Sequence, residues 1–221
     1  MNLDELAKAS CAIYVDGHRD GTGTLVTASH VLTAAHVLRR GGPVTLRFRD
    51  GLSGEAIPVE RLPLGEDTEQ LDIAVLELRP GTDGRPPPAK LWSAKRLPRD
   101  TKAFGYPIVE GAAPRGVWRD SVVSGDVQGG RVQLDWDAVG TLAGHSGGPV
   151  CDKASGLMAG VLVEGAETGH FDRMVTLPAV RAVWDGLPRP WLLLAATVFA
   201  HDSAAFSVHV SARAGVDVRQ G

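Results

Sequence analysis

The chain has 221 residues, with 23 lysines and arginines against 26 aspartates and glutamates, so its formal net charge is −3. This length suits one large domain or two small lobes joined into one unit. The near-neutral balance excludes the basic face that a nucleic-acid-binding protein presents. The 27 glycines and 14 prolines are scattered, which excludes a low-complexity chain.

The N-terminal residues 1–10 mix three charged side chains with two leucines, which predicts a short helix and excludes a signal peptide. The longest apolar run, residues 191–200, is too short for a membrane-spanning helix, which needs about 20 residues. The two cysteines, Cys11 and Cys151, are few for a secreted enzyme of this size. These features predict a cytoplasmic protein with two free thiols and no membrane contact.

Short apolar runs separated by turn signals recur along the chain, a pattern typical of an all-β sandwich or barrel. Residues 80–88 hold four prolines and two glycines, so they form neither a helix nor a central strand. We therefore predict a linker there, with one six-stranded antiparallel β-barrel on each side. The predicted strands cover residues 12–16, 23–27, 30–33, 44–48, 55–59, 73–78, 101–105, 116–124, 131–136, 149–151, 156–163 and 172–176.

A short helix over residues 179–186 is predicted after the last strand, because four apolar residues share one of its faces and a Gly-Leu-Pro segment ends it. Residues 1–186 then form one domain, with lobe one at about 11–80 and lobe two at about 89–178. Residues 187–221 fit neither barrel. They are either a tail that packs on the barrels or the start of a truncated further domain.

The strongest chemical signal is the segment 144–149, Gly-His-Ser-Gly-Gly-Pro. A nucleophilic serine needs an exposed side chain on a tight turn, with backbone N–H groups directed at the developing oxyanion. Glycines permit such a turn. Ser146 is therefore the predicted nucleophile, and the N–H groups of Gly144 and Ser146 are the predicted oxyanion hole. The alternative is an ordinary glycine-rich turn that holds an incidental serine.

His36 and Asp72 are the candidate partners of this serine. His36 follows Thr-Ala-Ala at the end of a β run, where small neighbours leave room for the imidazole to act as a general base. Asp72 opens an apolar strand, where a carboxylate is costly unless it is paired. Pairing with His36 would hold the imidazole tautomer and stabilise the imidazolium. Taken singly, His36 reads as a core histidine and Asp72 as a turn residue.

Together these segments resemble those of the trypsin-like (chymotrypsin-fold) serine peptidases. The chain order His36, Asp72, Ser146 is the order of that family, and residues 21–26, Gly-Thr-Gly-Thr-Leu-Val, resemble the strand before its histidine. The resemblance covers about residues 12–186. It implies two β-barrels with the active site in the cleft between them, a Ser-His-Asp triad, an acyl-enzyme intermediate, a protein or peptide substrate and no cofactor.

His145 departs from the secreted trypsins, which carry an aspartate before the serine that pairs with a new N-terminal amine. The resemblance therefore implies no activation by N-terminal clipping. In this respect the chain is more similar to the bacterial Deg/HtrA-like peptidases, although it carries no recognisable peptide-binding module.

The expected substrate-binding residues also follow from the resemblance. Gly140 stands six residues before the serine, the position at the base of the family's primary pocket, and with Thr141 it argues against an acidic pocket. The strand that ends in Val163, Glu164 and Gly165 is expected to line that pocket and to pair with the substrate backbone.

No spacing of histidines and cysteines suits zinc, so no metal is expected.

Two other functions stay open. The first alternative is a non-catalytic module that uses the cleft to bind a peptide or partner. The second is a catalytic domain of a larger regulatory protein of stress or defence, which stays silent until a regulatory partner or additional domain reshapes the oxyanion loop.

Overall fold

The computed structural model describes residues 3–48, 57–62, 65–79, 85–94, 96–109, 111, 113–125, 129–136, 143–163, 171–188, 195–199 and 207–211. The chain divides into two compact units, Met1–Pro188 and Arg189–Gly221. The predicted boundary of the domain at residue 186 stays a prediction. In the first unit, helix α1 (Leu3–Ala9) precedes the strands and buries Leu6, Ala7 and Ala9.

The first six strands form a closed antiparallel barrel in the order β1-β2-β3-β6-β5-β4, which the pairing of β1 with β4 closes. A two-residue turn, Asp16-Gly17, joins β1 to β2, and both of its residues have positive φ, as a type I′ hairpin requires. The strands are β1 (Ser10–Val15), β2 (His18–Leu25), β3 (His30–Ala34), β4 (Val44–Phe48), β5 (Ile57–Arg61) and β6 (Ile73–Leu78).

The next six strands form a second closed antiparallel barrel in the order β10-β11-β12-β9-β8-β7, which the pairing of β10 with β7 closes. Helix α3 (Leu177–Val183) follows its last strand directly. The strands are β7 (Asp100–Gly105), β8 (Val117–Val123), β9 (Arg131–Trp136), β10 (Pro149–Asp152), β11 (Met158–Val163) and β12 (Phe171–Thr176).

The described part of the linker, residues 85–88, runs between the barrels without forming a strand. On the first barrel, the Ala89 N–H donates to the carbonyl of Leu25 at 2.8 Å. On the second, Leu91 bridges to Met158, and the Trp92 N–H donates to the Met158 carbonyl at 2.7 Å. This segment therefore leaves one barrel and joins the other within a few residues.

The largest hydrophobic cluster crosses both barrels and explains why they pack together. It contains Leu25 and Val31 of the first barrel, Met158 and Val161 of the second, and Trp184 behind α3. Each buried aliphatic side chain contributes about 1.5–3 kcal/mol relative to exposure. A separate cluster fills the second barrel: Ala103, Val132, Leu134, Val150, Leu162 and Met174.

The all-β fold of two six-stranded antiparallel barrels with a short helix behind them is confirmed. Three strands have the predicted bounds, β4, β6 and β9, and the other nine differ by a few residues at one or both ends. Residues 55 and 56 of the strand predicted over 55–59 lie outside the described residues. Helix α3 begins at Leu177 and ends at Val183, so the predicted range 179–186 was placed late at both ends. A helix over Glu66–Gln70, α2, was not predicted at all.

In the second unit, Arg189–Gly221, the described residues form two strands that pair antiparallel, β13 (Ala195–Phe199) and β14 (Ser207–Ser211). The sequence singled out the apolar run and the alternating segment here but predicted no strands from them. Whether this unit is a tail or part of a further domain stays open.

Candidate active site

His36 lies in a 3₁₀ turn, Ala35–Leu38, that begins where β3 ends. Strand β3 pairs with β6 in a register that places Ala34 opposite Ile73. The end of β3 and the start of β6 are therefore neighbours, and each carries a polar residue just outside the ladder. This register brings His36 and Asp72 together although 36 residues separate them along the chain.

Asp72 occupies the turn between α2 and β6 in the left-handed backbone region, with φ 59°. Aspartate is among the few L-residues that adopt this conformation at modest cost. Its N–H donates to the carbonyl of Glu69 at 3.0 Å, and its own carbonyl accepts from the Ala35 N–H at 2.9 Å. These bonds attach the turn to α2 on one side and to the histidine segment on the other.

Both carboxylate oxygens of Asp72 bind His36. Oδ2 lies 2.6 Å from the imidazole Nδ1, and Oδ1 accepts from the His36 backbone N–H at 2.8 Å. The side chains of His36 and Asp72 are 13% and 17% exposed, so water screens this pair only in part. A carboxylate bound at Nδ1 favours the tautomer that has the proton there. It leaves Nε2 as the basic nitrogen.

Ser146 lies in a tight turn before β10, where Gly144 and Gly147 have φ values of 97° and 83°. A Cβ on Gly147 would lie 2.1 Å from Thr33 Oγ1 and 2.2 Å from the Thr22 carbonyl oxygen. Only glycine fits there, because both the backbone conformation and the space exclude a side chain. The turn of the second barrel therefore touches strands of the first barrel through backbone.

The Ser146 turn also lies beside the turn that carries His36. A Cβ built on Gly21 would lie 2.6 Å from Val37 Cγ2 and 2.9 Å from the Ser146 carbonyl oxygen. Val37, the residue after His36, and the backbone of Ser146 therefore both lie close to Gly21 of β2. Among the described residues, no hydrogen bond joins Ser146 to His36 Nε2. Catalytic hydrogen bonds of unliganded enzymes are often long and tighten when substrate binds.

The carbonyls around Ser146 are engaged, while the Gly144 and Ser146 N–H groups have no acceptor among the residues the structure describes. The Ala143 carbonyl accepts from the Ile108 N–H at 2.7 Å, and the His145 carbonyl accepts from the Gly148 N–H at 2.9 Å. Because a trans peptide directs its N–H opposite to its C=O, these two bonds orient the Gly144 and Ser146 amides away from the protein contacts.

His145 is fully buried. A Cβ on Gly105 would lie 2.6 Å from the His145 Cα and 2.7 Å from its ring. The imidazole therefore packs against the end of β7 in the second barrel, where secreted trypsins have an ionised carboxylate.

The two thiols are not nucleophiles in this fold. Cys11 lies in β1 and Cys151 in β10, both are free and fully buried. Burial raises the pKa of the Cys151 thiol from 9.0 to about 12, and it raises the pKa of Cys11 as well. The reactive species is the thiolate. Near neutral pH both groups are therefore protonated and inert.

Of the expected substrate-binding residues, only Val163 lies within the described part. It ends β11, pairs with Arg173 of β12 and is 3% exposed, so its side chain belongs to the core. Its side chain is therefore not available to a substrate. The others lie outside the described residues: Gly140, Thr141, Glu164 and Gly165.

Among the described residues, no three histidine, cysteine or acidic side chains lie close enough to hold a metal ion. No helix in that part of the chain combines the length and the apolar character that crossing a membrane takes.

Several solved structures of proteases have a similar fold. The Rv3671c protease of M. tuberculosis in its active form has a TM-score of 0.63 at 18% identity, over 86% of each chain. Its inactive form has a TM-score of 0.63 at 19% identity, over 84% of this chain and 91% of the other. A serine endoprotease of Yersinia pestis has a TM-score of 0.66 at 18% identity, over 85% of this chain and 66% of the other.

Sequence comparison gives a more specific result. No curated protein is significantly similar to the chain in sequence. Residues 21–161 match the family model of the trypsin-like peptidase domain, and this range contains His36, Asp72 and Ser146. Such a fold supports protease activity in general. Because the match covers more than half of the chain, the protein belongs to the trypsin-like peptidase domain family.

Proposed function

We propose that the protein is a serine endopeptidase that hydrolyses peptide bonds in protein or peptide substrates, with Ser146 as nucleophile, His36 as general base and Asp72 as its orienting carboxylate. The observation that carries this proposal is the double contact of Asp72 with His36, at 2.6 Å to the ring and 2.8 Å to the backbone. A carboxylate in this position is the third member of a Ser-His-Asp triad.

The proposed reaction has two halves. Ser146 Oγ attacks the substrate carbonyl carbon while His36 Nε2 takes the hydroxyl proton. The carbonyl oxygen becomes an oxyanion, which the N–H groups of Gly144 and Ser146 stabilise. The intermediate collapses, His36 gives its proton to the leaving amine, and an acyl-enzyme remains. Water then attacks the ester by the same steps, and Ser146 regains its proton. Asp72 stays ionised throughout.

We also propose that substrate specificity resides in residues near the primary pocket. Gly140 and Thr141 would leave the pocket without an acidic base, so a strong preference for Arg or Lys at the cleaved bond is not expected. Val163 would contribute backbone groups to an extended substrate strand, and Glu164 and Gly165 would continue this edge. No cofactor takes part. A reducing compartment, the cytoplasm, is proposed from the two free thiols.

A peptidase that needs a regulatory partner is the second candidate. It is favoured by one observation, the absence of a hydrogen bond between Ser146 and His36 among the described residues. In that case a partner or additional domain would bring the two side chains into contact. A wholly non-catalytic module is disfavoured, because it has no use for a partly buried carboxylate held on an imidazole.

A fluorophosphonate probe tests the proposal, because it reacts only with a serine that a neighbouring base activates. We expect labelling of the natural protein and of Ser124→Ala, whose serine is exposed directly after β8. Ser146→Ala is expected to lose labelling and peptide-library cleavage completely. Labelling that persists in Ser146→Ala would refute the assignment. Failure of the natural protein to react or to cleave would favour the partner-dependent form over a constitutive enzyme.

A further inference from the structure

Thr22 is a fully buried residue of β2 that binds the Ser146 turn from the opposite barrel. Its Oγ1 donates to the Gly144 carbonyl at 2.6 Å and accepts from the Tyr106 N–H at 2.9 Å. Its backbone N–H donates to the Ser146 carbonyl at 2.9 Å. Its backbone carbonyl accepts from Thr33 Oγ1 at 2.7 Å. One residue of the first barrel thus holds two carbonyls of the turn.

The glycines on both sides of Thr22 explain how β2 comes so close. A Cβ on Gly21 would lie 2.9 Å from the Ser146 carbonyl oxygen, and one on Gly23 would lie 2.6 Å from Val31 Cγ1. A larger residue at Gly21 would push the strand away from the turn. The Gly-Thr-Gly sequence therefore brings one hydroxyl, and no other side chain, into the contact.

The Thr22 hydroxyl also connects the turn to the segment after β7. It binds Tyr106 on one side and Gly144 on the other. Two residues beyond Tyr106, the Ile108 N–H donates to the Ala143 carbonyl, and this bond sets the direction of the Gly144 N–H. A Cβ on Gly144 would lie 2.4 Å from the Tyr106 carbonyl oxygen, so the two segments are in tight contact.

We propose that Thr22 is a positioning residue, whose hydroxyl holds the Tyr106–Ile108 segment and the 144–145 peptide. In this arrangement the two flanking peptides direct the Gly144 and Ser146 N–H groups at the oxyanion. The proposal rests on the proposed peptidase function. Without the hydroxyl, the buried Gly144 carbonyl and the Tyr106 N–H each lose the hydrogen bond to Thr22. The Gly144 carbonyl belongs to the 144–145 peptide, which lies between the two peptides that carry the Gly144 and Ser146 N–H groups. This carbonyl regains a partner only if its peptide rotates, and the rotation changes ψ of Gly144 and φ of His145 and so misdirects the neighbouring oxyanion donors.

The test compares Thr22→Val with Thr22→Ser and Thr24→Val. Valine has the shape of threonine without its hydroxyl, and serine restores the hydroxyl. Thr24 is the matched control, since it lies two residues further on β2, is fully buried, and its hydroxyl has no partner among the described residues. All three variants are first compared with the natural protein for their thermal unfolding midpoint.

In Thr22→Val we expect kcat to fall about 10- to 100-fold, less than the 100- to 1000-fold typical for removal of a whole oxyanion donor. KM is expected to change by less than about threefold, because the hole acts on the transition state. Thr22→Ser should keep kcat within about threefold, and Thr24→Val should leave it unchanged. An unaltered kcat in Thr22→Val, or an equal loss in Thr24→Val, would overturn the proposal.

A second readout does not need activity. In protein labelled with 15N-glycine, the assigned Gly144 amide signal is expected to shift in Thr22→Val and to stay in place in Thr22→Ser and Thr24→Val. If Thr22→Val leaves the Gly144 signal unmoved, the positioning role is wrong even where Ser146 proves to be the nucleophile. If the natural protein cleaves nothing, a constitutive peptidase function fails, and this signal still decides whether Thr22 orients the turn.

Discussion

Asp72 combines a constrained backbone with a paired side chain. Its positive φ turns the chain sharply between α2 and β6, and this turn directs the carboxylate back at the His36 segment. The carboxylate then serves two N–H groups, one on the ring and one on the backbone. Because both donors belong to His36, the ring and its main chain are held as one body.

Replacing Asp72 with asparagine separates these two roles. Asparagine also tolerates positive φ, so Asp72→Asn should keep its thermal unfolding midpoint near that of the natural protein. Its neutral amide favours the wrong imidazole tautomer, and a loss of kcat of about 10,000-fold is expected. Asp67→Asn, an exposed acid on α2, is the control and should keep full activity. If Asp72→Asn retained more than about a tenth of kcat, Asp72 would not be the orienting carboxylate.

At this scale the sequence predicted the histidine and aspartate as a pair, and their contact is present. It did so because a carboxylate at the entrance of an apolar strand needs a partner. It did not predict a role for Thr22, although Gly-Thr-Gly was noted. A threonine in a strand is ordinary, and only the approach of the second barrel shows that its hydroxyl binds the Ser146 turn.

The turn that holds Ser146 is the element on which the site depends. It is short, carries two glycines of positive φ and lies against β2 and β3 of the other barrel. Gly147 contributes most to this contact, because its missing Cβ leaves room for the Thr22 carbonyl and the Thr33 hydroxyl. The Gly147 N–H also donates to the Leu162 carbonyl of β11 at 2.8 Å.

Gly147→Ala should therefore be strongly destabilising. The new Cβ meets the Thr33 hydroxyl at 2.1 Å and the Thr22 carbonyl oxygen at 2.2 Å, in addition to the strain of positive φ. We therefore expect a loss of about 3 kcal/mol or more in the free energy of unfolding. Gly41→Ala is the matched control, with φ 74° and no atom within 4 Å of its Cβ. It should lose only about 1–2 kcal/mol. Equal losses in urea denaturation would mean that space at Gly147 is unimportant.

The start of helix α3 explains why the predicted helix begins two residues after the observed one. Thr176 caps the helix, with its Oγ1 accepting from the Ala179 N–H at 3.4 Å, and Pro178 stands in the first turn. Proline is favoured in that position because its missing N–H would have no partner there. The predicted helix begins after Pro178, so the prediction omits the capping residue and the first residues of the helix. Helix α2 has five residues and no apolar face to recognise.

On the scale of the molecule, the two barrels share a hydrophobic cluster. The cluster includes residues of β2 and β3 in one barrel and of β10 and β11 in the other, with Leu177, Val180 and Trp184 around α3. Shared burial makes the free energies of the two barrels depend on each other. The His36–Asp72 pair and the Ser146 turn come from different barrels. The site therefore forms only when this shared core holds the two barrels together.

The unit Met1–Pro188 contains both barrels and all of the proposed catalytic residues. A shortened chain of residues 1–188 is therefore expected to unfold at the same temperature as the full chain, within about 3 °C, and to keep its reactivity with a fluorophosphonate. Circular dichroism melting and probe labelling check this. A shortened chain that is insoluble or melts much earlier would show that residues 189–221 complete the core, contrary to the division into two units.

The sequence by itself determined the strand pattern, the two-barrel architecture and the identity of the three candidate catalytic residues. Alternating apolar runs and glycine-rich turns are local signals, and residue type limits which side chains serve as nucleophile or base. Only the tertiary structure decided that the Asp72 carboxylate binds His36 twice, that Gly147 leaves room for the opposite barrel, and that Thr22 meets the Gly144 carbonyl. These contacts join segments far apart in the chain, and their distances depend on barrel closure and packing, which no local pattern contains.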